Sequence, residues 1–234
     1  MKSKNAVEDQ FDQLVAENVK DQYVFDIDIL RGKDRQIIRT LKEHGIKDKK
    51  CLDIGPGTGR FIQFLKSENA SLICAADISS EALNSCDKYV NESQKIDIEN
   101  ESLIFGDNSF DIIISFEVLE HLREPDNYIS EIVRVAKDGA IVLISLPNIT
   151  SLISRVRMLF GLLPVAIASD KTHVSFYRKK DLIKLFSEKK LTPTFLPTSI
   201  SLNPFKVKSK LSMPSNNFIS SFDDSLLFYM YVNK

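Results

Sequence analysis

Apolar residues recur along this chain in two rhythms. Short continuous runs predict buried strands at Cys51-Leu52-Asp53-Ile54, Leu72-Ile73-Cys74-Ala75-Ala76, Asp111-Ile112-Ile113-Ile114-Ser115 and Ala140 to Leu146. Between them the spacing turns helical. Phe61, Ile62, Phe64 and Leu65 begin one helix, Glu81 to Val90 carries a second, and Asn127 to Ala136 a third with Ile129, Ile132 and Val133 on one face. An earlier helix over 34–44 sets Ile37, Ile38 and Leu41 at the same spacing and stops at Gly45. Strands alternating with amphipathic helices imply a mainly parallel sheet covered on both faces. After Pro147 the order changes: Ser151 to Leu163 and Lys179 to Lys189 predict helices, and Leu226 to Val232 a closing strand that runs antiparallel. The prediction is a single doubly wound α/β domain over 46–234, with a helical lead over 1–45 and an insertion or lid near 150–177.

Composition narrows the class. Of 234 residues, 43% are hydrophobic and 27% charged, which excludes a disordered chain and suits a globule with a sizeable core. Thirty-one Lys and Arg against thirty-two Asp and Glu leave a net charge of −1, too little for strong global steering onto nucleic acid. From Lys171 onward, however, eleven basic residues face four acidic ones. That end could meet an anionic ligand, or simply carry solvated lysines. Cys51, Cys74 and Cys86 form no CxxC pair and leave one over, so a reducing cytoplasm fits better than a disulfide framework or a zinc knuckle. The opening MKSKNAVEDQFDQ lacks the apolar core of a signal peptide, and no apolar run reaches the roughly 18 residues that span a bilayer. The nearest is Met158 to Ala168, which Gly161 and Pro164 interrupt.

The first candidate chemistry lies where the first strand meets a helix. Gly55-Pro56-Gly57-Thr58-Gly59 puts three glycines in that turn, where backbone amides can approach a ligand closely. The spacing is G-x-G-x-G. Arg60 stands where a dinucleotide fingerprint has its last glycine, so the helix entry lacks the close packing expected for pyrophosphate binding. Asp77, at the end of the second strand, is placed to accept both hydroxyls of a ribose. The competing reading makes it a helix N-cap, given Ser79 and Ser80 beside it.

Four ordered segments, CLDIGPGTGRF, AADIS, GDNSFDIIISFEVLEHL and EIVRVAKDGAIVLISLPN, resemble a class I S-adenosylmethionine-dependent methyltransferase over about residues 45 to 190. The resemblance implies a Rossmann-like fold with S-adenosylmethionine as cofactor. It further implies that Asp53, Gly55, Pro56 and Gly57 line the methionine moiety, Asp77 takes the ribose and Ile78 faces the adenine. Glu99 and Asn100 fall where the family contacts the adenine edge, although the usual Gly-Asp there reads Ile98-Glu99. Ser115 and Phe116 complete the implied cofactor set. The segment SLPNITSLISRVRMLFGLLP, with His173-Val174-Ser175-Phe176-Tyr177 after it, is similar to MetW-type methionine-biosynthesis proteins. It is equally similar to methyltransferases of sugars and small secondary metabolites.

Methyl transfer from a sulfonium needs alignment above all, and a base only for a hydroxyl or protonated amine. No Asn/Asp-Pro-Pro-Tyr motif follows the strand at 111–115, which favours oxygen over an amino group or nucleobase. The sharpest constellation is Glu117-x-x-Glu120-His121, with His173 further on. On a helix start, 117, 120 and 121 share one face. Together with His173 they could hold a divalent cation, as in the small-RNA 2′-O-methyltransferases and quinone-pathway O-methyltransferases they resemble. Alternatively His121, with Glu117, acts as a general base. The plainer reading is that Glu117 and His121 brace the loop beneath the cofactor. Phe176 and Arg178-Lys179-Lys180 are placed to cap an acceptor site, and His44 closes its helix for dipole reasons. Met158 to Ala168 reads as a lid over the acceptor, then as a homodimer or partner-enzyme surface, then, with Arg155 and Arg157, as an interfacial helix. The expected function is methyl transfer to oxygen of a small molecule or saccharide in the cytoplasm. The alternative is a non-catalytic subunit that docks on another enzyme through 151–168. A nicotinamide dehydrogenase shares the fold class but needs a hydride-transfer base and the last glycine of its fingerprint, and this sequence shows neither.

Overall fold

The computed structural model describes residues 4–19, 32–201, 212–214 and 225–234. Two helices, α1 (Lys4–Val19) and α2 (Gly32–His44), precede a sheet built from β1 (Lys50–Ile54), β2 (Leu72–Asp77), β3 (Glu92–Lys95), β4 (Phe110–Phe116), β5 (Ala136–Pro147), β6 (Thr194–Leu196) and β9 (Ser225–Tyr231). The order is β3-β2-β1-β4-β5-β9-β6. β1 to β5 pair in parallel, and β9 runs antiparallel between β5 and β6. A separate two-stranded ribbon joins β7 (Ser199–Ser201) to β8 (Ser212–Pro214).

The side-chain period of two divides the strands between two cores. Leu52, Ile54, Ile113, Val142, Ile144 and Phe228 face α5 (Asp126–Val135) and α8 (Lys179–Ser187). Cys51, Ile73, Ile112, Ile114 and Leu143 face α2, α3 (Arg60–Ser67) and the end of α4 (Ser80–Cys86). Phe186 of α8 meets Phe228 of β9 edge to face at 5.4 Å. Both are fully buried, and each such side chain stabilises the fold by about 2–3 kcal/mol. Winding reverses between β1 and β4, and ligands of such sheets bind outside the strand ends at that reversal.

Several bounds differ from the sequence pattern for local reasons. α4 stops at Cys86 and tightens into a 3₁₀ turn over Asp87–Tyr89, so the helix expected to Val90 is shorter. Ala136 already belongs to β5, not to the helix before it. The helix expected over 151–163 ends early: α6 (Leu152–Leu159) closes through Phe160 and Gly161, whose N–H groups donate back to Arg157 and Met158. Leu159 and Phe160 therefore stand 84% and 71% exposed. α7 (Val165–Ser169) follows. No described helix is long and apolar enough to cross a membrane.

Candidate active site

The glycine turn is fixed from both sides. The Gly55 N–H donates to Ala76 O at 2.9 Å, and Ser85 Oγ of α4 donates to Gly57 O at 2.9 Å. Gly55 has φ +79°, and a Cβ there would sit 2.3 Å from Val118 Cγ2. Only glycine fits. Gly59, at φ +72°, brings its Cα so near α4 that a Cβ would lie 2.7 Å from Cys86 Cβ. The close packing expected to be missing at the helix entry is thus present, supplied one position early and against α4.

Two cavities flank this turn. The first, about 320 Å³, is lined by Gly55, Gly57, Asp77, Ile78, Ile98 and Glu99, and by Val7, Phe11, Leu14 and Val15 of α1 as a roof. Asp77 is held by burial at about 6, while the N–H groups of Ser79, Ile78 and Gly57 pull it down. Its Oδ1 accepts from Ser79 N at 2.8 Å. Asp77 is not the helix cap; Ser79 is, its Oγ accepting from Ala82 N. That leaves the Asp77 carboxylate facing the cavity, where it can accept from a diol. Asp12 of α1 accepts from Ser79 Oγ at 2.5 Å and Glu81 N at 3.2 Å, and Glu8 pairs with Lys95. Those contacts seat the roof.

At the far end, Asp97 lines the cavity. Glu99 shares that wall, but its Oε1 already accepts from the N–H groups of Arg123 (2.7 Å) and Glu124 (2.6 Å). Asn100 lies outside both cavity walls and donates to Asp97 Oδ2 at 2.9 Å. Ser115 is fully buried and also lines neither. The second cavity, about 360 Å³, adds Asp53, Pro56, Arg60 and Phe61 and shares Gly55, Gly57, Phe116 and Glu117 with the first. Burial pushes Asp53 well up, and the Asp77 charge adds to it. Arg60 is committed in part to Asp34 of α2 through two contacts of 3.0 Å.

Glu117 leaves β4 with φ +59°, and Leu119–His121 is a single 3₁₀ turn. The expected helix face shared by 117, 120 and 121 does not form. Glu117 Oε1 instead accepts from Lys33 Nζ (2.7 Å) and Ser145 Oγ (2.8 Å). Glu120 turns inward, 2% exposed, and neither carboxylate oxygen has a hydrogen-bond donor. Its backbone O accepts from Val174 N and Ser175 N, which brings His173 onto it. The ligand atoms of Glu120, His121 and His173 lie within 4.8 Å of one another.

The two imidazoles are fixed in tautomer. His173 Nδ1 lies 2.6 Å from Ala166 O, an acceptor, so Nδ1 carries the proton. His121 Nδ1 lies 3.0 Å from Thr172 Oγ1, whose own proton goes to Asp170 Oδ1 at 2.6 Å. His121 Nδ1 is therefore the donor. Nε2 is the ring nitrogen left for a further partner in both, the arrangement that outer partners impose on metal-binding histidines, and His173 Nε2 lies 3.8 Å from Glu120 Oε1 and from Asp170 Oδ2. Burial holds His121 below its ordinary range, and burial, then the Glu117 charge, pushes Glu120 well up. Two imidazoles and a carboxylate without a hydrogen-bond donor are a donor set that fits a divalent cation. Of the apolar insertion, Met158, Leu159, Phe160, Leu162 and Leu163 line neither cavity, whereas Asp170 lines the first.

Residues that the sequence pattern did not single out also shape the site. Val7, Phe11, Leu14 and Val15 recur at helical spacing, a signal that was there to find. Lys33, Asp97, Thr172 and Asp170 carry no local signature, because the first and last two act across long separations and Asp97 follows a polar strand.

Comparison with known proteins bears on the family and the fold. A family model described as a methyltransferase domain matches residues 28–193. A ubiquinone biosynthesis O-methyltransferase of Pasteurella multocida is 30% identical over 121 residues, 46% of this chain and 50% of that protein. The chain spans about half the length of the curated relatives it matches. An S-adenosylmethionine-dependent methyltransferase of Thermotoga maritima superposes with a TM-score of 0.67 at 16% identity, covering 97% of this chain and 100% of that one. Magnesium protoporphyrin IX methyltransferase of Synechocystis, solved with S-adenosylhomocysteine, gives 0.64 at 16% identity, covering 98% and 99%. With the family model matched across most of its length, this chain belongs to the class I S-adenosylmethionine-dependent methyltransferases.

Proposed function

We propose that this protein transfers the methyl group of S-adenosylmethionine to an oxygen of a small molecule, beside a divalent cation held by Glu120, His121 and His173. The observation that carries the reading is the Glu120 carboxylate, buried without a hydrogen-bond donor beside two imidazoles whose Nδ1 atoms are held by Thr172 Oγ1 and Ala166 O. A buried orphan of that kind costs about 1–3 kcal/mol unless a ligand or proton satisfies it. His121 also lines the first cavity, so the cluster abuts the cofactor. The relatives' names as O-methyltransferases support oxygen as the accepting atom.

In this reading Asp77 accepts the ribose hydroxyls, Ile78 and Ile98 face the adenine, and Asp97 receives its amino edge. Asp53 and the turn at Gly55–Gly57 take the methionine end, and Phe116 shields the reacting sulfur from water. Bound there, the cation supplies Lewis acidity that favours ionisation of the acceptor hydroxyl. The chain itself contributes alignment: Thr172 and Asp170 orient His121, and Ala166 O orients His173.

The test is transfer of labelled methyl to a panel of catechols, phenols and saccharides, with Mn²⁺ or with a chelator. A labelled ether is expected, with turnover at least about tenfold lower under chelation and in Glu120→Gln. Equal rates with and without chelator would remove the cation. Label on nitrogen alone would remove oxygen as the acceptor.

A further inference from the structure

Glu117 is the carboxylate that sequence spacing offers as a fourth donor, yet it is turned elsewhere. Its Oε1 takes two donors at once, Lys33 Nζ at 2.7 Å and Ser145 Oγ at 2.8 Å, and its own N–H is fixed to Ser145 O at 2.8 Å. Lys33 is not a loosely placed surface lysine. It is the second residue of α2, 84 residues from Glu117, and its side chain is 20% exposed. The buried Ile37, Ile38 and Leu41 anchor that helix to the sheet, and the Asp34–Arg60 pair ties it to α3. The ammonium is therefore delivered to Glu117 by a rigid element. Glu120 has no such donor. Two carboxylates three residues apart are thus sorted, one committed to a lysine and one left open.

We infer that Lys33 is a specificity-determining residue of the cation site: by holding Glu117 it limits the protein to three donors and one carboxylate. The inference rests on the cation reading of Glu120, His121 and His173. A site with three protein donors keeps positions for an acceptor oxygen, whereas a second carboxylate, as fourth donor, would bind the cation harder and close one of them. The lysine charge also opposes cation binding by plain electrostatics, so the experiment separates the two contributions.

Mn²⁺ binding is measured on the full chain by electron paramagnetic resonance and by water-proton relaxation. The variants are Lys33→Met, Glu117→Gln, the pair together and Glu120→Gln. Lys33→Met is expected to tighten Mn²⁺ by about tenfold, and to lower the relaxation enhancement as Glu117 displaces bound water. In the Glu117→Gln background the same substitution should change affinity less than about threefold, the charge effect alone. Lys33→Gln repeats the measurement should the methionine variant fold poorly. Unchanged affinity in both Lys33 variants, or equal tightening with and without Glu117, overturns the role of Lys33 while leaving the cation in place. Wild-type protein that binds no Mn²⁺, or binds it equally after Glu120→Gln, overturns the cation reading and the Lys33 inference with it.

Discussion

The proposed cofactor half and the proposed acceptor half of this site are made of different material. The cofactor half is mostly backbone: a turn whose glycines bring the chain against Val118 and Cys86, with Asp77 at a strand end steadied by N–H groups. The acceptor half is side chains gathered from α2, the turn after β4, β5 and the 166–173 loop. There the polar side chains answer one another: Lys33 with Glu117, Thr172 with Asp170 and His121. A backbone-built site has little room for substitution. A side-chain-built site can be retuned one residue at a time.

Gly55→Ala should break the first half hardest. The new methyl meets the stiff, branched Val118 at 2.3 Å, in a left-handed backbone that penalises any Cβ. Left-handed strain and overpacking together predict a loss of roughly 3 kcal/mol in urea unfolding. Binding of S-adenosylhomocysteine should fall with it. A variant as stable as wild type would mean that Val118 moves aside freely, and that the turn is less constrained than its geometry implies.

Next in size comes Asp77→Ala. Removing an acceptor of two hydroxyl donors should weaken S-adenosylhomocysteine by roughly 30-fold, about 2 kcal/mol, in calorimetry, with little change in stability. Unchanged affinity would place the ribose elsewhere. The acceptor half offers the contrast, because Glu120→Gln should leave this affinity nearly untouched while abolishing Mn²⁺ binding.

The same contrast explains what was legible in the sequence. β1, β2, β4, β5 and β9 lie inside the sheet, so each carries a run of buried, mostly apolar residues. β3 reads Glu92-Ser93-Gln94-Lys95 and β6 only Thr194-Phe195-Leu196; both are sheet edges, where one side meets solvent and no apolar run is required. Of the residues expected at the adenine edge, Glu99 lines the cavity beside Asp97, just past β3, while Asn100 does not. The glycine turn and Asp77 were legible because contiguous sequence makes them. EVLEH offered candidate donors but not their shape: Glu117 in a left-handed conformation and a 3₁₀ turn separate its two carboxylates, and Lys33 holds one of them.

The finest distinction between the halves is their response to pH, and Asp77 supplies the test. In the free protein burial holds its carboxyl at about 6. Two ribose hydroxyls favour the ionised form, so the bound state holds the proton less tightly than the free one. Binding therefore releases a proton below about pH 6, and affinity for S-adenosylhomocysteine should rise with pH up to that point and then level. From pH 5 to pH 7 the gain should be about tenfold, the cost of deprotonating a group one unit above the lower pH. Asp77→Asn cannot titrate and should flatten this part of the profile at a lower affinity. Asp53, also raised by burial, lines the neighbouring cavity, so whatever slope survives in Asp77→Asn belongs to the methionine end. A profile identical in wild type and Asp77→Asn would mean that Asp77 is already ionised, or is not the ribose acceptor. The comparison would then shift the cofactor's polar anchor from β2 to the glycine turn itself.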